Sequence, residues 1–85
     1  IEQNEYAEAQ RKLRKALKVA PKSILLLNLM FYVSYILVKD EVCEYNIKET
    51  ISIANTIESI APELFEYPEQ KQEIKMLLDT FSERE

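Results

Sequence analysis

Glycine, histidine and tryptophan are absent from the 85 residues, and cysteine occurs once. Without glycine, left-handed turns, tight hairpins and glycine-rich phosphate loops lose the residue they depend on. Without histidine, Cys/His zinc sites, histidine triads and histidine general bases are excluded. Cys43, being alone, has no partner for an internal disulfide, and it reads as a loop or half-buried thiol. Among enzyme designs a pair of carboxylates remains, for which Glu41, Glu44 and Glu49 are the candidates. They read better as a solvated loop and helix start, so no catalytic residue, cofactor or metal is expected.

What is present favours helix. Long runs of Ala, Leu, Glu, Lys, Gln and Arg predict an all-α fold, and 85 residues make one small domain spanning 1–85. The stretch Ile24–Val38 carries no charge and no Pro. Only Asn28, Ser34 and the tyrosine hydroxyls are polar in it. A helix apolar on every side is expected to be buried on every side. A membrane span needs roughly 20 apolar residues. This run is shorter, with Lys22 before it and Lys39, Asp40 and Glu41 after it, so a core helix is expected rather than a span. It also lacks the features of a signal peptide, and a cytoplasmic location is expected. The opening Ile1, in place of Met, is read as the start of a fragment or processed form.

Four helices follow in order. Asn4 is the expected N-cap of a first helix over about 5–19, with Tyr6, Ala9, Leu13, Ala16, Leu17 and Ala20 as its apolar stripe and Glu8 four residues before Lys12 as a surface pair. Pro21 ends it. Ser23 caps a second helix, 24 to about 39, and a connection this short predicts an antiparallel pair. Asp40–Tyr45 reads as a polar break. Asn46 and Glu49 have capping-box spacing, which sets a third helix at about 47–60 or starting a few residues earlier. Its apolar face is Ile47, Ile51, Ala54, Ile57 and Ile60 or Ala61, widened by Ile53 and Ile60, and Pro62 ends it. Leu64, Phe65 and Tyr67 are large for a turn and are expected to plug a gap between helices. Pro68 opens a fourth helix whose stripe is Ile74, Leu77, Leu78 and Phe81, with 82–85 fraying. This helix is expected to cap helix three, covering Ile51 and Ile57.

The net charge of −4 is unevenly spread. Residues 1–22 hold six bases and three acids, and residues 40–85 hold four bases and twelve acids. Such asymmetry steers encounters. The acidic total, and a basic cluster without interleaved aromatics, argue against a nucleic-acid partner. Arg11, Lys12, Arg14, Lys15 and Lys18 form either a solvated face or a docking patch for an acidic partner.

Two amphipathic segments, Tyr6–Pro21 and Ile47–Pro62, each close on Ala-Pro, 41 residues apart. In the first, Tyr6, Ala9, Leu13, Ala16 and Pro21 resemble the second helix of a tetratricopeptide repeat. The likeness loosens afterwards: Leu27, Met30, Phe31 and Ser34 stand where the next first helix would carry its aromatic, Leu-Gly and Tyr. Ile47, Thr50, Ala54, Ile57 and Pro62 fall at the pattern positions of its second helix. The spacing also exceeds the 34 residues usual for the repeat. The resemblance thus covers 5–62, with 68–84 as a capping helix.

The resemblance implies a non-enzymatic protein-protein interaction module, an adaptor or scaffold that binds a peptide, a partner helix or a second copy of itself. The alternative is a structural or oligomerisation domain of a larger regulatory protein. In such a repeat the first helix lines the inner surface. The candidate groove residues are therefore Asn28, Tyr32 and Tyr35, with Leu25, Leu29 and Leu37 expected to pack inward. Asn28 has a second reading, a core amide satisfied by a neighbouring helix carbonyl, and the tyrosines are core or groove edge. Lysine is absent from helix two before Lys39, so a clamp for acidic C-termini is not expected.

Overall fold

The computed structural model describes residues 3–84, with side chains from 5 to 80. It holds four helices of 17 residues each: α1 Gln3–Val19, α2 Ile24–Asp40, α3 Glu44–Ile60 and α4 Pro68–Arg84. A 3-10 turn, Pro62–Leu64, joins α3 to α4, and no strand occurs among the described residues. Among the described residues, no helix is long and apolar enough to cross a membrane.

Proline and serine set most of the boundaries. The amide of Ala20 still reaches the carbonyl of Ala16, and the chain then turns at Pro21, with the Ser23 amide returning to the Ala20 carbonyl. Ser23 is extended, and its hydroxyl accepts from the Leu26 amide at 3.4 Å, which satisfies one of the open donors of α2. One expected cap does not form, and the other, at Asn4, falls on a side chain outside the described ones, within α1 Gln3–Val19. Asn46 lies inside α3, which begins at Glu44 after an extended Cys43 that makes no side-chain cap bond. Tertiary pairing overrides the capping box: Glu49 accepts from Gln10 and pairs with Arg14 on α1, while the Asn46 carbonyl accepts from the Thr50 hydroxyl at 2.8 Å. Glu44, in the first turn of α3, suits the positive end of that helix and bridges Lys48 at 2.8 Å. At the other end of the chain α4 continues through Arg84, beyond the expected frayed end. The Phe81 side chain lies outside the described residues.

α2 packs on α1 and on α3, and α3 packs on α4 and on the 3-10 turn. Two apolar clusters hold these contacts. Leu27, Phe31, Ala54, Ile57 and Phe65 form the first, with Leu17, Ile24, Ile53 and Tyr67 against it. Val38, Ile47 and Ile74 form the second, with Ile51, Leu77 and Leu78 against it. Tyr35 touches both. The segment after α3 plugs the first cluster: Phe65 meets Phe31 edge-on at 5.2 Å, and Tyr67 stacks on Phe31 at 5.8 Å. Leu64 stays exposed. Ile57 is therefore covered from the 3-10 side, and α4 covers the second cluster instead. Phe31 is fully buried; such a side chain contributes about 1.5–3 kcal/mol by burial, and each aromatic contact adds about 0.5–1.5 kcal/mol.

α2 is the most buried helix, with seven buried residues against four in α3. None of the described side chains of α1 is fully buried. Yet α2 is not covered all round, contrary to what its composition predicts. Leu25 is 70% exposed, Leu29 44% and Tyr32 42%.

α4 is latched to α2 by polar groups. Glu73 accepts from the Tyr35 hydroxyl at 3.0 Å and pairs with Lys39 at 2.8 Å, while Lys71 pairs with Glu58 of α3. Hydrogen bonds from Lys39 and Tyr35 hold the Glu73 carboxyl below its ordinary value of 4.5. A carboxyl lowered by folding stabilises the fold above its ordinary pKa, and that contribution is lost as pH falls through the folded value. Glu73→Gln should therefore melt lower than the wild type at pH 7. The gap should close progressively below about pH 4.5, and at neutral pH it should shrink with added salt because the pair is exposed. Thermal melts of both proteins across this range check it.

Candidate functional site

The wheel of α2 sorts its side chains by neighbour. Leu27, Phe31, Ser34 and Val38 lie on the buried side. At 100° per residue, Leu25, Leu29, Tyr32 and Ile36 fall within one narrow arc on the opposite side, at i, i+4, i+7 and i+11. The first three are exposed and Ile36 is half-buried. The result is an apolar row on α2 that is open from Leu25 to Tyr32 and half-covered at Ile36, in a helix whose other sides pack against neighbours. Contiguous exposed apolar rows of this kind mark interaction surfaces more often than scattered single residues do. Leu64, 53% exposed, sits on the segment that Asn28 holds against α2.

Of the three groove candidates, only Tyr32 belongs to this row. Its ring stacks on Tyr67 at 5.6 Å, which fixes its direction and leaves 42% of it exposed. The Tyr67 hydroxyl is pushed up, first by burial, then by the charge of Glu66 and by Tyr32. Asn28 is 3% exposed, so its expected access is corrected. Its amide donates to the Leu64 carbonyl at 3.0 Å and accepts from the Glu66 amide at 3.1 Å. These bonds satisfy two backbone groups of a segment that lies outside any α-helix, and they are the reason for its burial. Tyr35 is half-buried between the two clusters, its hydroxyl spent on Glu73 and Lys39. Leu25 and Leu29, expected to pack inward, are the exposed members; Leu37 is half-buried. The 4-3-4 spacing of the row was present in the sequence, but in a wholly apolar helix every face carries such a row, so the spacing alone could not single out this one.

The basic residues Arg11, Lys12, Arg14, Lys15 and Lys18 are all exposed on α1. They do not act alike. Arg11 binds Glu8, taking the partner expected for Lys12. Hydrogen bonding and charge from Arg11 hold Glu8 below its ordinary value, and Glu8 in turn raises Arg11. Arg14 reaches across to Glu49 of α3. Burial works against the Arg14 charge, but Glu49 and the Tyr45 hydroxyl outweigh it and raise its pKa overall. Lys12, Lys15 and Lys18 form no ion pair with another described residue.

The carboxylates Glu41, Glu44 and Glu49 are not gathered into one site. Glu44 pairs with Lys48, Glu49 with Arg14, and Glu41 ends α2 with its amide on the Leu37 carbonyl. No cluster of three metal-ligating groups occurs among the described residues. Cys43 is a half-buried free thiol at the start of α3.

No family model matches the chain, and no curated protein or solved structure matches it either.

Asn28→Ala should lower stability by about 1–3 kcal/mol, because it strands the Leu64 carbonyl and the Glu66 amide. Leu29→Ala, at an exposed position, should change stability by less than about 0.5–1 kcal/mol. Urea unfolding of the two variants checks the contrast.

Proposed function

We propose that the chain is a non-enzymatic protein-interaction module that docks an amphipathic partner helix on the open face of α2. The observation that carries this reading is the row of exposed Leu25, Leu29 and Tyr32, continued by half-buried Ile36, in a helix that carries no charge from Ile24 to Val38. A helix laid along it meets anchors at i, i+4, i+7 and i+11, the register by which apolar grooves take helices. Tyr32 suits the role, because an aromatic with a polar tip adds contact area while its hydroxyl stays wet.

The interior supports reading α2 and α3 as an antiparallel, tetratricopeptide-like hairpin. Val38, late in α2, shares a cluster with Ile47, early in α3, while Leu27 and Ile57 share the other. α1, which packs on α2 and holds half-buried Tyr6, Ala9, Leu13 and Ala16, then stands as the second helix of a preceding unit, and α4 stands as the cap. In this reading the module serves as an adaptor or scaffold. Lys12, Lys15 and Lys18 would add salt-dependent attraction for an acidic partner without fixing its register.

The test uses a designed amphipathic helical peptide with Leu at i, i+4, i+7 and i+11, titrated into the protein and followed by methyl and amide NMR shifts. Shifts should concentrate at Leu25, Leu29, Tyr32 and Ile36, and Leu29→Glu should abolish them without changing the melting curve. Shifts confined to the basic face of α1, or none at peptide concentrations of about 1 mM, where even weak specific docking registers, would overturn the proposal.

A further inference from the structure

The open row has a symmetry of its own. Its spacings are four, three and four residues, so it reads the same from either end. A twofold axis between Leu29 and Tyr32 would lay Leu25 opposite Ile36 of a second copy and Leu29 opposite Tyr32 of that copy. Self-complementarity of this kind is what a twofold interface requires of a single surface patch.

The charges at the two ends fit the same arrangement. Lys22 lies three residues before Leu25, and Asp40 lies four residues after Ile36, followed by Glu41. All three are exposed, and none forms an ion pair with another described residue. Lys39, the base in the last turn of α2, is engaged by Glu73 and Tyr35. For α2 by itself, Lys22 and Asp40 stand at the wrong ends: a cation sits by the positive N-terminus and an anion by the negative C-terminus. Against an oppositely directed α2 both placements become favourable. Lys22 then meets the negative end of the second helix together with its Asp40, and the same contact forms again at the other end of the interface.

We infer that the partner helix is α2 of a second copy of this chain, paired head to tail across Leu25, Leu29, Tyr32 and Ile36 and held in register by Lys22 and Asp40. This inference rests on the docking role of the α2 face proposed above and names its occupant. Four side chains cover less than the roughly 800 Å² per partner of a standard stable interface, so the pairing is weak and dependent on concentration. Exposure of the row in the single chain is then the free state of a reversible contact.

Sedimentation equilibrium of the 85-residue chain from about 10 μM to about 1 mM tests this, the range in which a weak dimer dissociates and forms. A monomer–dimer equilibrium is expected, and Leu29→Glu should leave only monomer with an unchanged melting curve. Lys22→Glu and Asp40→Lys should each weaken the dimer several-fold, and the double variant should restore it, because opposite charges again face each other at both ends. These positions are exposed, so the variants stay folded, and circular dichroism verifies it. Monomer at every concentration, a dimer that survives Leu29→Glu, or single reversals without effect or without rescue would each overturn the inference. If the chain stays monomeric while the designed peptide still shifts Leu25, Leu29 and Tyr32, the docking face stands and only its occupant is wrong. If neither occurs, the docking reading falls with it.

Discussion

A helix without charge over Ile24–Val38 has to be covered, and its neighbours can cover only part of its circumference. The rest of the molecule follows from how that cover is supplied. α1 and α3 flank it, and α4 reaches it at its far end through Tyr35 and Lys39. The side nearest Phe31 is closed by a short irregular segment rather than a helix, with Phe65 and Tyr67 against the Phe31 ring. An irregular segment brings backbone groups that no helix satisfies, and Asn28 supplies both a donor and an acceptor for them. The lone amide in an apolar helix is thus the condition for burying the loop that completes its core. Among the described residues no further element lies against the remaining arc of α2.

The polar interior obeys the same accounting. Ser34 accepts from Gln10 of α1, and Thr50 donates to a carbonyl of its own helix. No buried side-chain nitrogen or oxygen among the described residues lacks a partner. α1 contributes through its edges more than through deep burial: Leu17 joins the first cluster from the side, and Gln10 and Arg14 converge on Glu49. Exposed pairs of this kind add little stability singly.

Much of the fold was legible because local chemistry decided it. Pro21, Ser23, Pro62 and Pro68 act within a residue or two, and the boundaries near them fell where expected. The spare aromatics Phe65 and Tyr67 announced a plug, since rings of that size in a turn need a place to bury. The cap of α3 was not legible, although the early start was: α3 begins at Glu44, a few residues before Ile47, as one of the expected readings had it. Asn46 carried correct capping chemistry, but at Glu49 a cation on another helix outcompeted the local bond, and that cation is 35 residues away in sequence. The candidate surface was the least legible part. Periodicity separates faces only when faces differ, and along α2 both the buried and the open sides are apolar. Asn28 and Tyr35 stood out as polar-tipped residues, and in the structure their polar atoms serve the loop and α4 instead.

Along the open arc of α2 burial stops although the residues remain apolar. A soluble gadolinium chelate, added to dilute methyl-labelled protein, measures this side chain by side chain through paramagnetic broadening. The methyl groups of Leu25 and Leu29 should broaden strongly while those of Leu27, Met30 and Val38 stay sharp, in keeping with their 70%, 44%, 5%, 3% and 0% exposures. Equal protection of Leu25 and Leu27 in the dilute monomer would contradict it, because α2 would then be covered on every side and no face would be left for a partner.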